Sequence, residues 1–394
     1  MAKVLHIIPS VSPIRGGTSV AVSEIVQALR NCQVEAEILT TNDSGPGVLE
    51  VPCGEFIDYQ DVPVLFFPRW SPSVPALSEY AISRQLMQWL NTYIKGYDLV
   101  HIHSLFSYVC TFGARKARQK SIPYVISPHG HFSPWVINQK RLKKNIYNFL
   151  LENANLKKAS LIHCTTKLEQ KYVGDFGIDA PTVNIPLGIH FPTVYPNAKM
   201  ALRAKYNISV DMETPIILFL SRIHPKKQLD FLIKVLANLQ GEDKFHLVIG
   251  GSGEPAYCQY IEGIISSLGL GENVTFTGFV SGEDKQLLLY GCDFLALPSL
   301  GENFGIAVAE AMAAGLPVVI TPEVEIAVDV IEENAGLVVP GTLDQWESAL
   351  KRLINAPDIR REMGNNGQNL SRERYSWNVI GPQFVEAYNS ICQP

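Results

Sequence analysis

The sequence predicts an α/β protein built from two Rossmann-like domains that face each other across a cleft. Three observations point there. Short apolar runs alternate with helical patterns through the amino-terminal half. A Pro-rich stretch with little periodicity, carrying Pro181, Pro186, Pro192 and Pro196, interrupts them, and the alternation then restarts. The chain has 394 residues, more than one average domain holds, so two domains of roughly 180 residues each are expected.

In chain order, residues 4–8 form the first apolar run. It is too short for a signal peptide or a membrane span and fits a buried strand. Residues 37–40, 64–66, 99–102, 124–127 and 161–164 read as further strands, with helices over 19–30, 78–91 and 142–156. Strands alternating with helices imply a parallel sheet wrapped on both faces. The Pro-rich stretch reads as the interdomain linker. Beyond it, strands are expected at 216–220, 245–249, 274–277, 294–297 and 318–320. The domains are therefore placed at 1–190 and 191–375, with a last segment over 376–394.

Hydrophobic residues make up 46% of the chain and charged residues 18%, which excludes a disordered protein. A net charge of −5 argues against a nucleic-acid partner. The seven cysteines are scattered, odd in number and never spaced Cys-x-x-Cys. That pattern suggests reduced thiols in a cytoplasmic protein rather than a disulfide frame or a zinc site.

The segment from Gly301 to Val319 holds the most informative pair, Glu302 and Glu310. The run at 294–298 before it reads as a buried strand. After Asn303 comes an Ala-rich helix, stopped by Gly315 and Pro317. One carboxylate then sits at the carboxyl edge of a strand and the other about two turns along the helix. Ligands of open parallel sheets bind at that edge, and a helix amino terminus there attracts phosphate.

Four other segments fall at strand ends. Gly16-Gly17 precedes a helical pattern and permits close backbone approach to a ligand, although an ordinary turn reads equally well. Arg222 to Asp230 gathers Arg222, Lys226 and Lys227, cations that would suit a departing diphosphate. Ser127-Pro128-His129-Gly130-His131 ends a strand, as do His101 and His103, of which alternation is expected to turn only one inward. Gly250-Gly251-Ser252-Gly253 and the stretch ending in Val280 complete the set.

Pro298-Ser299, Glu302, Phe304-Gly305, Glu310 and Gly315-Leu316-Pro317-Val318-Val319 closely resemble the two-glutamate motif of retaining nucleotide-sugar glycosyltransferases. Arg222 to Asp230 is similar to that family's Arg-x-x-Pro-x-Lys-Gly-x-Asp pattern, with Gln228 in place of the usual glycine. The chain is identified as a member of the retaining family 4 type, glycosyl transferases group 1, with the two-lobed GT-B fold. The resemblance implies an acceptor-side first domain, a second domain that binds the nucleotide sugar, and a last helix that crosses back to the first. It assigns the diphosphate clamp to Arg222 and Lys227, with Lys226 able to share the role. It places Glu302 and the backbone at Asn303, Phe304 and Gly305 on the sugar, Glu310 on the ribose, and Gly16, Gly17 and Gly251 on the donor. It further puts His129 rather than His131 near the reaction centre, and the base against backbone near Val280.

The implied reaction moves a sugar from a nucleoside diphosphate to a hydroxyl of a glycan or lipid-linked acceptor, with retention of configuration. Polysaccharide or glycolipid synthesis is the implied setting. No cofactor is implied beyond the nucleotide sugar as co-substrate. No metal is required, since the clamp is cationic and the sequence has no Asp-x-Asp. A nucleotide-sugar epimerase or hydrolase on the same fold, or a non-catalytic sugar-binding relative, are the other readings. Residues 140–151 combine four cations with an apolar stripe, which suits either a helix with a solvated basic face or a peripheral contact with an anionic membrane. Sedimentation with liposomes separates the two: the membrane reading expects binding that rises with anionic lipid, and binding indifferent to lipid charge removes it.

Overall fold

The strands form where apolar runs of about five residues are bounded by Gly, Pro or polar residues, because a parallel sheet buries both faces of each strand. The computed structural model describes residues 2–45, 47–70, 81–133, 151–191, 193–241 and 243–392. Among them the strands are β1 (Lys3–Ile7), β2 (Glu35–Thr41), β3 (Asp43–Ser44), β4 (Gly47–Val48), β5 (Phe56–Asp58), β6 (Pro63–Phe67), β7 (Leu99–His103), β8 (Tyr124–Ser127), β9 (Leu161–Cys164) and β10 (Thr182–Asn184). They continue as β11 (Ile216–Leu220), β12 (His246–Gly250), β13 (Val274–Gly278), β14 (Phe294–Leu297), β15 (Val318–Ile320) and β16 (Gly336–Val338). The chain divides into two compact units, Met1–Gly188 with Trp377–Pro394, and Ile189–Ser376.

The first unit holds an eight-stranded sheet in the order β10-β9-β8-β7-β1-β2-β6-β5. All its pairs are parallel except β5 with β6. The order reverses between β1 and β7. The second unit holds a six-stranded parallel sheet in the order β13-β12-β11-β14-β15-β16. This is the doubly wound order 3-2-1-4-5-6, and it reverses between β11 and β14. Every residue of β11 and β14 is buried.

The helix Trp377–Cys392 belongs to the first unit and packs on the helix Gly17–Asn31. Close approach needs Gly381, where a Cβ would stand 3.1 Å from Cys32 Sγ and 3.5 Å from Ala28 O. At the start of this helix the Trp377 ring lies flat against Gly188, where a Cβ would fall 2.2 Å from the ring.

Some expectations change. The Pro-rich stretch is not all linker, because Thr182–Asn184 pairs in parallel with β9 as the sheet's edge strand. Prolines at the ends of an edge strand cost no ladder bonds. The unit boundary falls after Gly188, two residues before the expected 190. Of the helix expected over 78–91, residues 78–80 lie outside the described residues, and the helix seen is Arg84–Tyr93, capped by Ser83. That expected over 142–156 is seen only as Asn153–Lys157, and residues 140–150 of the basic stretch lie outside the described residues. No helix among the described residues is long and apolar enough to cross a membrane, and all seven cysteines are free.

The Gly188 contact gives a direct test. Gly188→Ala drives a methyl group into the Trp377 ring and is expected to cost about 1–3 kcal/mol, the usual range for overpacking. Urea denaturation followed by tryptophan fluorescence reads this, and an unchanged midpoint contradicts the packing.

Candidate active site

The reversal between β11 and β14 in the second unit is where ligand-binding loops are expected. Two loops leave there. After β11 the chain runs Ser221 to Gln228, with a short helical turn at Pro225–Lys227 capped by His224 Nδ1, which accepts the Lys226 N–H at 3.1 Å. Gln228 then adopts φ 51°, left-handed backbone that favours glycine. This is the position where the resembling pattern has glycine, so the departure is in side chain and not in backbone shape. After β14 the chain runs Pro298 to Gly305.

The two loops are tied together. The Leu300 N–H donates to Lys226 O at 2.8 Å. Lys227 Nζ forms a partly buried ion pair with Glu302 Oε1, and Ser299 Oγ donates to the same oxygen at 2.7 Å. Ser299 is itself fully buried. The backbone of Glu302 is fixed against the loop after β15, accepting from Glu325 N at 3.1 Å and donating to Glu323 O at 3.0 Å. Lys226 also faces this region, since a Cβ on Gly301 would lie 3.8 Å from its Nζ. Burial pushes the Lys226 ammonium below its usual range, and Lys227 and Arg222 add to that, while Glu302 and Glu325 oppose it. Arg222 is exposed and has no hydrogen bond or ion pair among the described residues.

Gly251 and Gly253 are explained first by this loop packing. A Cβ at Gly251, whose φ is 146°, would lie 1.9 Å from Ser221 O. One at Gly253 would lie 2.1 Å from Ile223 O. Their bareness lets the loops after β11 and β12 zip together, with Ile223 N donating to Ser252 O at 2.9 Å.

The helix after the Glu302 loop starts later than the sequence suggests. Gly305 takes φ 81° and the helix is Ile306–Ala313. Glu310 therefore lies about one turn into it, not two. Its carboxylate is held by Lys285 Nζ at 2.6 Å. His190 stands near both: burial and Lys285 lower its pKa, and Glu310 raises it. The Phe304 side chain is buried edge-on against Tyr375 at 5.2 Å, so only its backbone is left for a ligand. Asn303 is partly exposed on the same loop. Val280 is buried, its methyl group close over Gly250, while neighbouring Phe279 is 65% exposed.

The first unit carries the remaining candidates at its own reversal. Gly16, with φ 106°, precedes the helix that starts at Gly17. Beside them Arg15 grips buried Asp43 through Nε at 2.5 Å and Nη2 at 2.8 Å, and Arg69 binds the same carboxylate. His129 follows β8 with φ 51°, and Gly130 follows with φ 80°. This turn is pinned by fully buried Glu169, which accepts the Gly130 N–H at 2.5 Å and the Thr165 N–H at 2.8 Å.

His129 Nε2 lies 3.1 Å from His103 Nδ1, whereas His131 Nδ1 turns back to Pro128 O. His101 and His103 both point inward, contrary to the expectation of one. Residues two apart on a strand share a face, and their rings lie 4.0 Å apart. Asp43, Glu169, Lys285, His190 and His6 were not singled out from sequence. Each is an isolated polar residue far along the chain from its partner.

Two family comparisons match the chain. Glycosyl transferases group 1 matches residues 203–370, and Glycosyltransferase Family 4 matches residues 15–191. The chain belongs to the family 4 type of GT-B glycosyltransferases. A D-inositol 3-phosphate glycosyltransferase of Xylanimonas cellulosilytica is 26% identical over 403 residues, covering 95% of this chain and 91% of its own. An uncharacterized glycosyltransferase of Methanocaldococcus jannaschii is 33% identical over 184 residues, and that match spans 46% of each chain. Among solved structures, sucrose-phosphate synthase of Thermosynechococcus elongatus superposes with a TM-score of 0.78 at 21% identity over 99% of both chains. HepE of Anabaena, solved with UDP-glucose, gives 0.78 at 22% identity over 99% of this chain and 100% of its own.

The buried and half-buried histidines of this glycosyltransferase make its stability depend on pH. Burial holds His6 and His129 down to about 3 and His163 to about 4. In the unfolded chain they titrate near 6.5, so between those values the unfolded state binds more protons. Their contribution is complete above about pH 6.5. It is lost as pH falls toward about 4 for His163 and about 3 for His6 and His129, at up to about 1.4 kcal/mol per pH unit for each histidine. Urea midpoints at pH 7, 6 and 5 are expected to fall steadily, and a midpoint that stays level contradicts neutral burial.

Proposed function

We propose that this glycosyltransferase retains configuration. It moves a sugar from a nucleoside diphosphate to a hydroxyl of a glycan or lipid-linked acceptor without a catalytic metal. The observation that carries the reading is the pairing of Lys227 with Glu302, beside Lys226 and Arg222, on the two loops at the β11/β14 reversal. The names of relatives support a nucleotide-sugar donor. One is a GDP-mannose-dependent mannosyltransferase of Mycolicibacterium smegmatis, 25% identical over 285 residues, and HepE was solved with UDP-glucose.

The chemistry follows from charge. As the bond between the sugar's anomeric carbon and the phosphate oxygen breaks, negative charge gathers on the diphosphate. Arg222, Lys226 and Lys227 stabilise it in place. Glu302 and the backbone of Asn303 to Gly305 orient the sugar hydroxyls, and Glu310 accepts from the ribose. The acceptor oxygen bonds to the anomeric carbon on the face the phosphate leaves, and its proton passes to a phosphate oxygen. Glu302 is given an orienting role and not a nucleophile's: Lys227 and Ser299 both engage its Oε1, which fixes the carboxylate beside the cations. Three cations supply the charge that a divalent metal would otherwise bring.

Donor turnover tests this. With acceptor present, nucleoside diphosphate release is expected to match transfer, the product anomer to keep the donor's configuration, and activity to survive chelation. Glu310→Ala is expected to raise the donor KM about 10-fold to 100-fold, the worth of a hydrogen bond to a charged group. An inverted anomer, or activity lost to chelator and restored by a divalent cation, overturns the proposal.

A further inference from the structure

The first unit contains two chains of hydrogen-bonded histidines, and the direction of one can be read from its end. Ile185 O can only accept, so His163 Nε2, 2.7 Å away, carries a hydrogen. His163 Nδ1 then accepts from Ser127 Oγ at 2.6 Å, whose oxygen accepts the His101 Nε2–H at 2.6 Å. His101 Nδ1 in turn accepts from the Tyr388 hydroxyl at 2.7 Å. Every ring is neutral and both nitrogens of His101 are engaged. His6, His101 and His103 are the one cluster of possible metal ligands among the described residues. Their ligand atoms lie within 4.8 Å of one another, but the His101 lone pair is taken by the Tyr388 hydroxyl, so in this hydrogen-bond pattern His101 has none to offer a cation.

The second chain joins His6 Nδ1 to His103 Nε2 at 2.9 Å, and His103 Nδ1 to His129 Nε2 at 3.1 Å. Three neutral rings allow two patterns, with the hydrogens all directed toward His129 or all toward His6. Among the described residues His6 Nε2 is buried and has no hydrogen-bond partner. The second pattern would leave an N–H orphaned there, the rarer fault in buried structure, whereas the first leaves only a bare lone pair. We infer that His6 and His103 set the tautomer of His129, so that His129 presents an Nδ1–H donor at the carboxyl edge of β8. Burial keeps all three rings neutral. Among the described residues His129 Nδ1 has no partner, so this donor is left for a substrate oxygen.

His6 and His103 are thus positioning residues. A histidine fixed as a neutral donor cannot take the acceptor's proton, so the acceptor's proton must go elsewhere, as to the phosphate oxygen named above. That consequence rests on reading His129 as a substrate contact, whereas the tautomer does not.

Protein labelled with 15N-histidine tests the inference through multiple-bond 1H–15N correlation spectra at pH 7, assigned with His6→Gln, His103→Gln and His129→Gln. His6, His103 and His129 are expected as Nδ1–H tautomers. In His103→Phe, His129 is expected to revert to the Nε2–H form favoured by free neutral histidine. An Nε2–H form of His129 in the wild-type spectrum overturns the inference without any variant, as does a tautomer unmoved by His103→Phe. Transfer rates are read separately. Wild-type transfer by His129→Gln, with the tautomer confirmed, removes the substrate-contact reading and leaves the relay standing.

Discussion

The Lys227–Glu302 ion pair is the contact on which the second unit's candidate site depends. Strands β11 and β14 are neighbours in the sheet, but their loops lie 75 residues apart in sequence. The β11–β14 register fixes where those loops begin, and other contacts hold them together beyond it. The ion pair, the Ser299 bond to Glu302 and the Leu300 bond to Lys226 O do so together. Removing either charge leaves the other partly buried and alone, which is costly. The pair therefore stores a cation and an anion side by side at the place where a dianionic donor would be bound.

Backbone shape makes that place possible. Gly251 and Gly253 let two loops share one layer, and left-handed Gln228 and Gly305 turn the chain into its helices. A left-handed glutamine costs about 1–2 kcal/mol, which the surrounding bonds of Lys226 and Lys227 offset. The first unit uses the same device, with His129 held left-handed by buried Glu169. In both units strain sits beside candidate ligand groups, and buried polar partners hold it in place.

The sheets were legible because parallel strands buried on both faces write themselves as short apolar runs. Ile216–Leu220 and Phe294–Leu297 fall where the sequence put them. The shortest edge strands were not legible: Thr182–Asn184 is three half-buried residues between prolines, and Gly336–Val338 is as short, whereas the five-residue edge strand Val274–Gly278 falls where it was expected. Residues inside a motif, such as Lys227, Glu302 and Glu310, could be found through their neighbours in sequence. Lys285, Glu169, Asp43 and His6 could not, because each gains its meaning from a partner the fold brings from 25 to 97 residues away. The His101–His103 expectation failed on a simpler point, the two-residue period of a strand.

One titration bears most directly on the account. Calorimetry with a nucleoside diphosphate should show that Lys227→Ala weakens binding at least about ten-fold, the worth of one charged hydrogen bond. Glu302→Ala, which releases the lysine, should bind the nucleotide as tightly as the wild type or more so while losing sugar transfer. Binding to Lys227→Ala at wild-type affinity would contradict the shared-cation site.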